Sequence, residues 1–596
     1  MNVKKLISMF SAALFACSVF ALDVKAEVVN VADVVYPGSM DVLMEFVGRY
    51  DSGSGDGGAV YTAYADKAEK LFVVNSSEKA LDIVDLSDAG DDFTLDRTKR
   101  LAFEDVDGLD SIGEITSVVV DKKESFIAVS VAAATVTDNG WVVFLDMNGN
   151  VLKVIEAGPK PGMMVLTPDN NTLLVANEGE PDDLYTTDPE GSVTVIDVRS
   201  GVKKASSSII GFSDVLVEET VRKADPAATW AESFEPEHIT VAKDSKTAYV
   251  SLQESNALAV LDLKAGKFTG VFDMGVKDHS QPDDRLDACD LDNINIAQYP
   301  VLGMYMPDDV ELVTVKGKEY LLTANEGAWQ NYGAWSDAIT VNEIKVKGLL
   351  GLDASNYGGL SQAAIDLILA ADKFETKFGR LKVSRLDGIG GDGKYDALYS
   401  FGGRSFSVVD AKSLEIVYDS GDELEEITAK SLYKYFNASD EDSTRDARSD
   451  ENGPAPQAMV AGEIGNIPYA FIGLGEVGGV AAYSLADISN PKFVSYSASR
   501  DFAGDADSGP TDLLFVEAEK SPTGEALLAV ACEASGTVAL YQVRERQEKM
   551  LTILHTNDQH ARVAPGDGLG MAKVAGLRDE LIGYNESVLL LDVGDV

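Results

Sequence analysis

Histidine and cysteine are scarce in this chain, with 4 His and 3 Cys in 596 residues. So few exclude a disulfide-stapled scaffold and a zinc-type Cys/His cluster. Basic residues are also short, with 50 Lys plus Arg against 98 Asp plus Glu and a net charge of −48. A surface of that sign disfavours nucleic acid and anionic lipid and suits cations and a saline setting. The acidic excess is spread along the chain rather than gathered in a tail, as a solvated surface would be. Beyond the N-terminus no apolar run reaches the roughly 18 to 20 residues that span a bilayer, so no transmembrane segment is expected in the mature chain. A Gly-x-Ser-x-Gly elbow and a phosphate-cradling loop are missing too, which removes the common hydrolase and nucleotide-binding signatures.

The N-terminus carries Lys4-Lys5, an apolar stretch from Leu6 to Leu22, and Val24-Lys25-Ala26. This is the layout of a secretory signal over residues 1–26, cleaved after Ala26. It predicts an exported protein, periplasmic or extracellular, with association to the cell surface left open. Leu14-Phe15-Ala16-Cys17 has the outline of a lipoprotein box, but Phe in its second position is unusual. After cleavage Cys289 and Cys532 remain, and no pairing between them is expected.

From Val28 to about Val543 the chain is a series of short runs with period-two alternation, broken by Asp, Asn and Gly turns. A unit recurs, as in Lys70–Val74 with Ala80–Leu86, Asn171–Asn177 with Gly191–Val198, and Lys246–Gln253 with Asn256–Leu263. Repeated four-stranded units of this kind close into a β-propeller. The expected fold is therefore mainly β, with a propeller over residues 27–546. Seven blades are expected, with eight as the alternative count. Long inserts fall at about residues 200–235, 277–308, 328–378 and 423–457, and the third holds a helical run from Ser361 to Phe378.

Acidic loops separate the strands, among them Asn177-Glu178-Gly179-Glu180-Pro181, Asp188-Pro189-Glu190-Gly191, Glu235-Pro236-Glu237-His238 and Asn325-Glu326-Gly327. Together with Leu252-Gln253-Glu254, Lys277-Asp278-His279-Ser280 and Phe401-Gly402-Gly403-Arg404-Ser405, these segments resemble, in order, the bacterial choice-of-anchor I domain. The resemblance implies an exported propeller-like module, found with varied surface anchors or fused to phosphatases. The sequence departs from that pattern at Pro456-Gln457, at Gly475 and at Pro510-Thr511-Asp512, where acidic or turn residues are replaced. Carboxylates on loops suit calcium, which makes Glu178, Glu180, Asp188, Glu190, Glu237 and Glu326 candidates for a cation or ligand site. Asp387, Asp392 and Asp396 crowd a Gly-rich turn, but without the spacing of an EF-hand loop. Glu237 and His238 read more readily as a satisfied polar pair than as a catalytic one.

The last segment changes character. Leu551–Thr556 is an apolar run ending in Asn557-Asp558-Gln559-His560, a helix-period stretch covers about 570–582, and a second apolar run, Val588–Leu591, leads to Asp592-Val593-Gly594-Asp595. In a strand–helix–strand unit, side chains at the carboxyl ends of the strands converge. The segment 549–596 resembles the start of the calcineurin-like metallophosphoesterases, closest to their 5′-nucleotidase branch. The resemblance implies Asp558 and His560 as ligands of a first metal and Asp595 as a bridging ligand. It also implies two divalent ions, zinc, manganese or similar, and a phosphate-ester or nucleotide substrate. His555 lies inside the strand and is expected to pack there. About 48 residues are too few to bury a core alone, and the family's Gly-Asn-His segment is absent, so the expectation is an incomplete βαβ start from a truncated form of a longer protein. Two functions follow. One is an exported propeller binding module joined to a dinuclear-metal phosphohydrolase. The alternative is a non-catalytic extracellular binding or adhesion propeller with a remnant tail.

Overall fold

Short apolar runs joined by tight polar turns pair locally before anything else. Lys70–Asn75 and Ala80–Asp85 pair antiparallel from Lys70↔Asp85 to Asn75↔Ala80. The computed structural model describes residues 39 and 41–546, apart from 88, 90–94, 110, 334 and 505, and the backbone of 552–556 and 588–592. Among these residues, seven antiparallel sheets hold four strands each. We number the blades by their first strands: Thr62–Ala65, Ile112–Val120, Pro161–Leu166, Pro236–Val241, Val310–Val315, Pro456–Ile464 and Pro510–Val516. Each first strand packs beside the next, and the seventh beside the first, so they form a ring around a central channel.

Burial follows position within a blade. The second strands Ile127–Ala133 and Ala526–Cys532 are buried at every residue. They lie between neighbouring blades, which explains their continuous apolar sequence. Outer strands meet water: Arg97–Ala102 and Ser206–Gly211 are mostly exposed and carry Arg, Lys, Thr or Ser, residues that blunt a free sheet edge.

The ring closes by exchange. The outer strand of blade 7 is Val42–Asp51, paired antiparallel with Thr537–Glu545 from Val42↔Glu545 to Asp51↔Thr537. Arg49 pairs with Asp507 at 2.6 Å. Tyr50, 1% exposed, donates its hydroxyl to Asp82 Oδ2 of blade 1 at 2.8 Å. Asp82 is itself wholly buried and held by Arg100 at 2.6 Å.

The expected inserts lie between the blade strands. Val276–Asp278, Leu302–Met304, Tyr399–Ser400, Lys382–Ser384 and Ala338–Thr340 form a five-stranded sheet in that order. It covers a core that includes Leu286, Val301, Ile344, Ile365 and Phe378. The helical run expected from Ser361 to Phe378 is split. An α-helix, Gln362–Leu369, is capped by Ser361, and a π-turn, Glu375–Gly379, follows. The break lets Phe374 and Phe378 turn into the insert core, where Phe378 stacks on Tyr299 with ring centroids 5.0 Å apart. Cys289 and Cys532 are both free and buried, as expected.

In the last segment Thr552–Thr556 pairs parallel with Val588–Asp592. Asp558, His560, Asp595, the 570–582 stretch and residues 1–26 with Cys17 lie outside the described residues. No helix among the described residues is long and apolar enough to cross a membrane.

Replacing Tyr50 by Ala removes a large buried side chain from the closing strand and leaves Asp82 short of a donor. The expected loss is about 3–5 kcal/mol, as for other buried aromatics truncated to Ala. Equilibrium denaturation would measure it. A variant as stable as the parent would show that the closing strand does not hold the ring.

Candidate functional site at the channel mouth

Five of the seven first strands begin with a break in register, between Ile112 and Ile115, Pro161 and Met164, Pro236 and Ile239, Pro456 and Ala458, and Pro510 and Asp512. Proline has no N–H to give the ladder and is tolerated at a strand's first position or at a bulge. The bulge turns the following residues out of the ladder toward the axis. One cavity of about 620 Å³ is lined from all seven blades by the starts of these strands, including Tyr61, Glu114, Gly162, Glu237, Asp308, Gln457 and Thr511. It is therefore the mouth of the channel where the first strands begin. A second cavity of about 600 Å³, lined by Glu311, Glu463, Phe515 and Lys520, sits where these strands end.

The second strands contribute through a shared device. Asn177 and Asn325 end their strands wholly buried and bond across to the third strand, Asn177 Nδ2 to Thr194 Oγ1 at 2.9 Å and Asn325 Nδ2 to Ser407 Oγ at 2.7 Å. The next residue in each case is a glutamate, Glu178 or Glu326, and then a glycine at positive φ, Gly179 at 73° and Gly327 at 87°. A Cβ at Gly327 would lie 2.0 Å from the backbone of Gly402, so only glycine permits this turn.

Charges at this mouth are lopsided. Lys160 places its ammonium 2.7 Å from Glu178 Oε2 and 2.6 Å from Glu180 Oε1. Glu235 accepts from Gln330 Nε2 at 2.9 Å and from Tyr332 at 3.3 Å, both from the insert. Glu326 accepts from Gln253 at 3.1 Å. Glu237 Oε2 and Glu254 Oε2 are buried with no partner. Burial, followed by its neighbour Glu254, holds the Glu237 carboxyl well above the usual carboxylate range. Burial also pushes Glu254 up to about 7. Lys160 is thus the one ammonium paired to this group among the described residues.

Deeper in the channel His238 lies 3.4 Å from Asp308 Oδ1. Burial alone would lower its pKa, but the carboxylates of Asp309 and Asp308 outweigh burial and push it up to about 9. It is therefore a cation at neutral pH that faces Asp308 rather than Glu237, and the two residues do not form the satisfied polar pair the sequence suggested. Asp309 accepts from Met459 N at 2.8 Å, and Asp512 accepts from Thr62 N at 2.8 Å and Thr62 Oγ1 at 2.6 Å. These bonds tie blade 5 to blade 6 and blade 7 to blade 1.

Of the loop residues expected to form a site, Glu178 and Glu237 line this cavity, Glu180 joins Glu178 on Lys160, and Glu326 is held by Gln253. Asp188 and Glu190 do not line it. Burial, with Glu232 and Asp225 nearby, pushes Asp188 up to about 7 on the outer loop, and Glu190 is exposed. Asp387 is bound to Arg222 at 3.1 Å and Asp392 caps Lys394 N at 3.0 Å, so the Gly-rich turn holds no joint site. Among the described residues no three His, Cys, Asp or Glu side chains are placed to share a metal ion. Sequence reasoning missed Lys160, Glu254 and Asp308. The recurring Pro-acid step, Pro236-Glu237 and Pro307-Asp308, was a signal for the last. At the equivalent steps in blades 6 and 7, Gln457 and Thr511 line the same cavity.

Residues 60–488 match the choice-of-anchor I domain model. Gigasin-3a from Magallana gigas is 33% identical over 183 residues, 28% of this chain and 64% of that protein. The mesenchyme-specific cell surface glycoprotein of Strongylocentrotus purpuratus is 30% identical over 293 residues, 45% of this chain and 37% of that protein. The chain thus spans less than two thirds of the curated relatives it matches. Among solved structures, the Cps50 (Swd1) β-propeller domain of Myceliophteria thermophila has a TM-score of 0.41 at 9% identity, covering 84% of this chain and 99% of that one. The matched segment takes in the hairpins from blade 1 into blade 6, with the Asn-Glu-Gly turns and Pro-acid steps that build the mouth, and the chain belongs to the choice-of-anchor I family.

Proposed function

We propose that the protein is an exported propeller module that binds a cationic organic ligand at the acidic mouth of its channel. The observation that carries this reading is the pair of buried oxygens without a partner, Glu237 Oε2 and Glu254 Oε2, beside carboxylates already satisfied by Lys160, Gln330 and Gln253. A buried carboxylate without a donor is costly, and an incoming ammonium or guanidinium relieves that cost through charge-assisted bonds. Lys160, held between two carboxylates, shows the geometry an ammonium takes here. A cavity of about 620 Å³ has the size of a small-ligand site. Export rests on the leader-like N-terminus and the family, and one relative is by name a cell surface glycoprotein.

The attached phosphohydrolase is a second reading, favoured by the parallel pairing of Thr552–Thr556 with Val588–Asp592. Parallel strands need a crossover, as the βαβ start of such a domain has. In this reading Asp558, His560 and Asp595 are ligands of two divalent ions, and the substrate is a phosphate ester or nucleotide.

Spermidine serves as the cationic probe for the mouth. Isothermal titration is expected to show binding to the parent, weakened about tenfold or more in Glu237→Gln and Glu254→Gln, the scale of one lost charge-assisted bond. Because Glu254 titrates near 7, its charged form is present above that pH, so affinity rises between pH 6 and pH 8. No heat with spermidine, or equal affinity in both variants, would sink the reading. For the phosphohydrolase, the full gene product is expected to hydrolyse p-nitrophenyl phosphate with Mn²⁺ and to lose that activity in Asp595→Asn. Activity that Asp595→Asn leaves intact, or silence with every divalent ion tried, counts against it.

A further inference from the structure

Away from the channel, the loop at 287–295 and the loop at 437–450 bring many carboxylates together, and nearly every oxygen there has a donor. Arg380 donates to both oxygens of Asp290. Glu425 takes Arg404 Nη1 at 2.6 Å and Asp287 N at 2.7 Å. Asp287 accepts from Asn295 N at 2.5 Å and from Cys289 N at 3.4 Å. Asp292 Oδ2 accepts from Asn295 Nδ2 at 2.8 Å, and Asp446 Oδ1 accepts from Ser449 Oγ at 2.7 Å.

Three buried oxygens are left over: Asp292 Oδ1, Asp446 Oδ2 and Asn437 Oδ1. Asp446 is 3% exposed and Asn437 is wholly buried. The hydrogen bonds around Asn437 assign its Oδ1 as the free acceptor. Its Nδ2 gives a hydrogen bond to Ser449 Oγ at 3.0 Å, and that hydroxyl has spent its single proton on Asp446. Arg445 donates to Asn293 Oδ1 and so seats the loop of Asp292 against the loop of Asp446, and Asp292 is the strongest like charge acting on Asp446. Lys377 acts on Asp292 only through space, with no ion pair between them among the described residues.

We propose that Asp292, Asn437 and Asp446 hold a calcium ion that clamps the loop before blade 5 to the loop before blade 6. Two carboxylates neutralise a divalent ion, the amide oxygen adds a neutral hard donor, and calcium's shell of six to eight oxygens is completed by backbone carbonyls and water. No nitrogen or sulfur ligand is offered, which disfavours zinc and copper. The residues differ from the acidic loops named from the sequence, and the inference does not rest on the reading of the channel mouth.

The test uses the full chain freed of metal with EGTA and titrated with CaCl₂ by calorimetry and thermal unfolding. Binding is expected at about 10⁻⁴–10⁻³ M, the range of extracellular calcium modules, with a rise in Tm of about 2 °C or more at 10 mM. Asp446→Asn and Asp292→Asn are each expected to weaken binding about tenfold or more and to lose the rise in Tm. If Asp446→Asn does not fold, Asp292→Asn, on the more exposed loop, decides alone. No calcium heat and no Tm rise in the parent overturns the proposal. So does binding by Asp292→Asn with parental affinity, which would place calcium elsewhere.

Discussion

Everything at the channel depends on one exchange of strands. Blade 7 is complete only because Val42–Asp51 crosses to pair with Thr537–Glu545. Until that pairing forms, residues as distant in sequence as Tyr61 and Thr511 have no reason to share a cavity. Once it forms, the order of the first strands around the axis is fixed and their bulged starts point to one place. The side-chain bonds between blades then act as secondary locks. Asp512 on Thr62, Asp309 on Met459, and Thr116 on Pro161 O at 2.6 Å each cross one blade boundary. These bonds are local, but none spans more than one seam, so they reinforce a closed ring rather than create it.

The second constraint is electrostatic. Carboxylates at the mouth are withdrawn from water by the ring, and burial raises their pKa in the way that low polarity always acts on an anion. For a group held protonated more firmly in the folded than in the unfolded state, folding loses stability as pH rises through that range. His238 adds to the same trend at higher pH. Its raised pKa contributes stability fully below about 6.5, which is lost as pH climbs through about 9. The fold thus carries groups that oppose its own stability near neutrality, and such conflicts concentrate where a protein binds something.

The blades were readable in the sequence because their second and third strands recur as short, largely apolar or alternating runs set between Asp, Asn and Gly turns. Ala526–Cys532 and Ala80–Asp85 announce themselves. The Asn-Glu-Gly turns were readable as loops, and with them Glu178 and Glu326. What was not readable is which acid faces inward. Asp188 and Glu190 lie only ten or so residues past Glu178, in a loop of the same composition, yet neither lines the cavity. Lys160 was invisible for a different reason. Its partners Glu178 and Glu180 are some twenty residues away, and the three meet only across the first hairpin of blade 3. The three oxygens at Asp292, Asn437 and Asp446 are harder still, since they are defined by what every neighbouring donor has already bonded.

The mouth is not symmetric, and its asymmetry bears on how a ligand would lie. Where the first strands begin, the cavity-lining residues are acidic in blades 2, 4 and 5, as Glu114, Glu237 and Asp308, and the loop of blade 3 adds Glu178 with Glu180 beside it. In blades 6, 7 and 1 the same positions are Gln457, Thr511 and Tyr61. Gly475 lies against Gln457, where a Cβ would come within 2.4 Å of its Oε1, so the amide is accommodated rather than merely tolerated. On that side Asp56 and Glu533 are the acids that line the cavity. A uniform acidic ring would hold a small cation on its axis. This arrangement instead draws positive charge toward blades 3 to 5 and leaves hydroxyl, amide and aromatic surface opposite. That division suits an elongated ligand with a cationic end and a neutral polar end better than a bare ion.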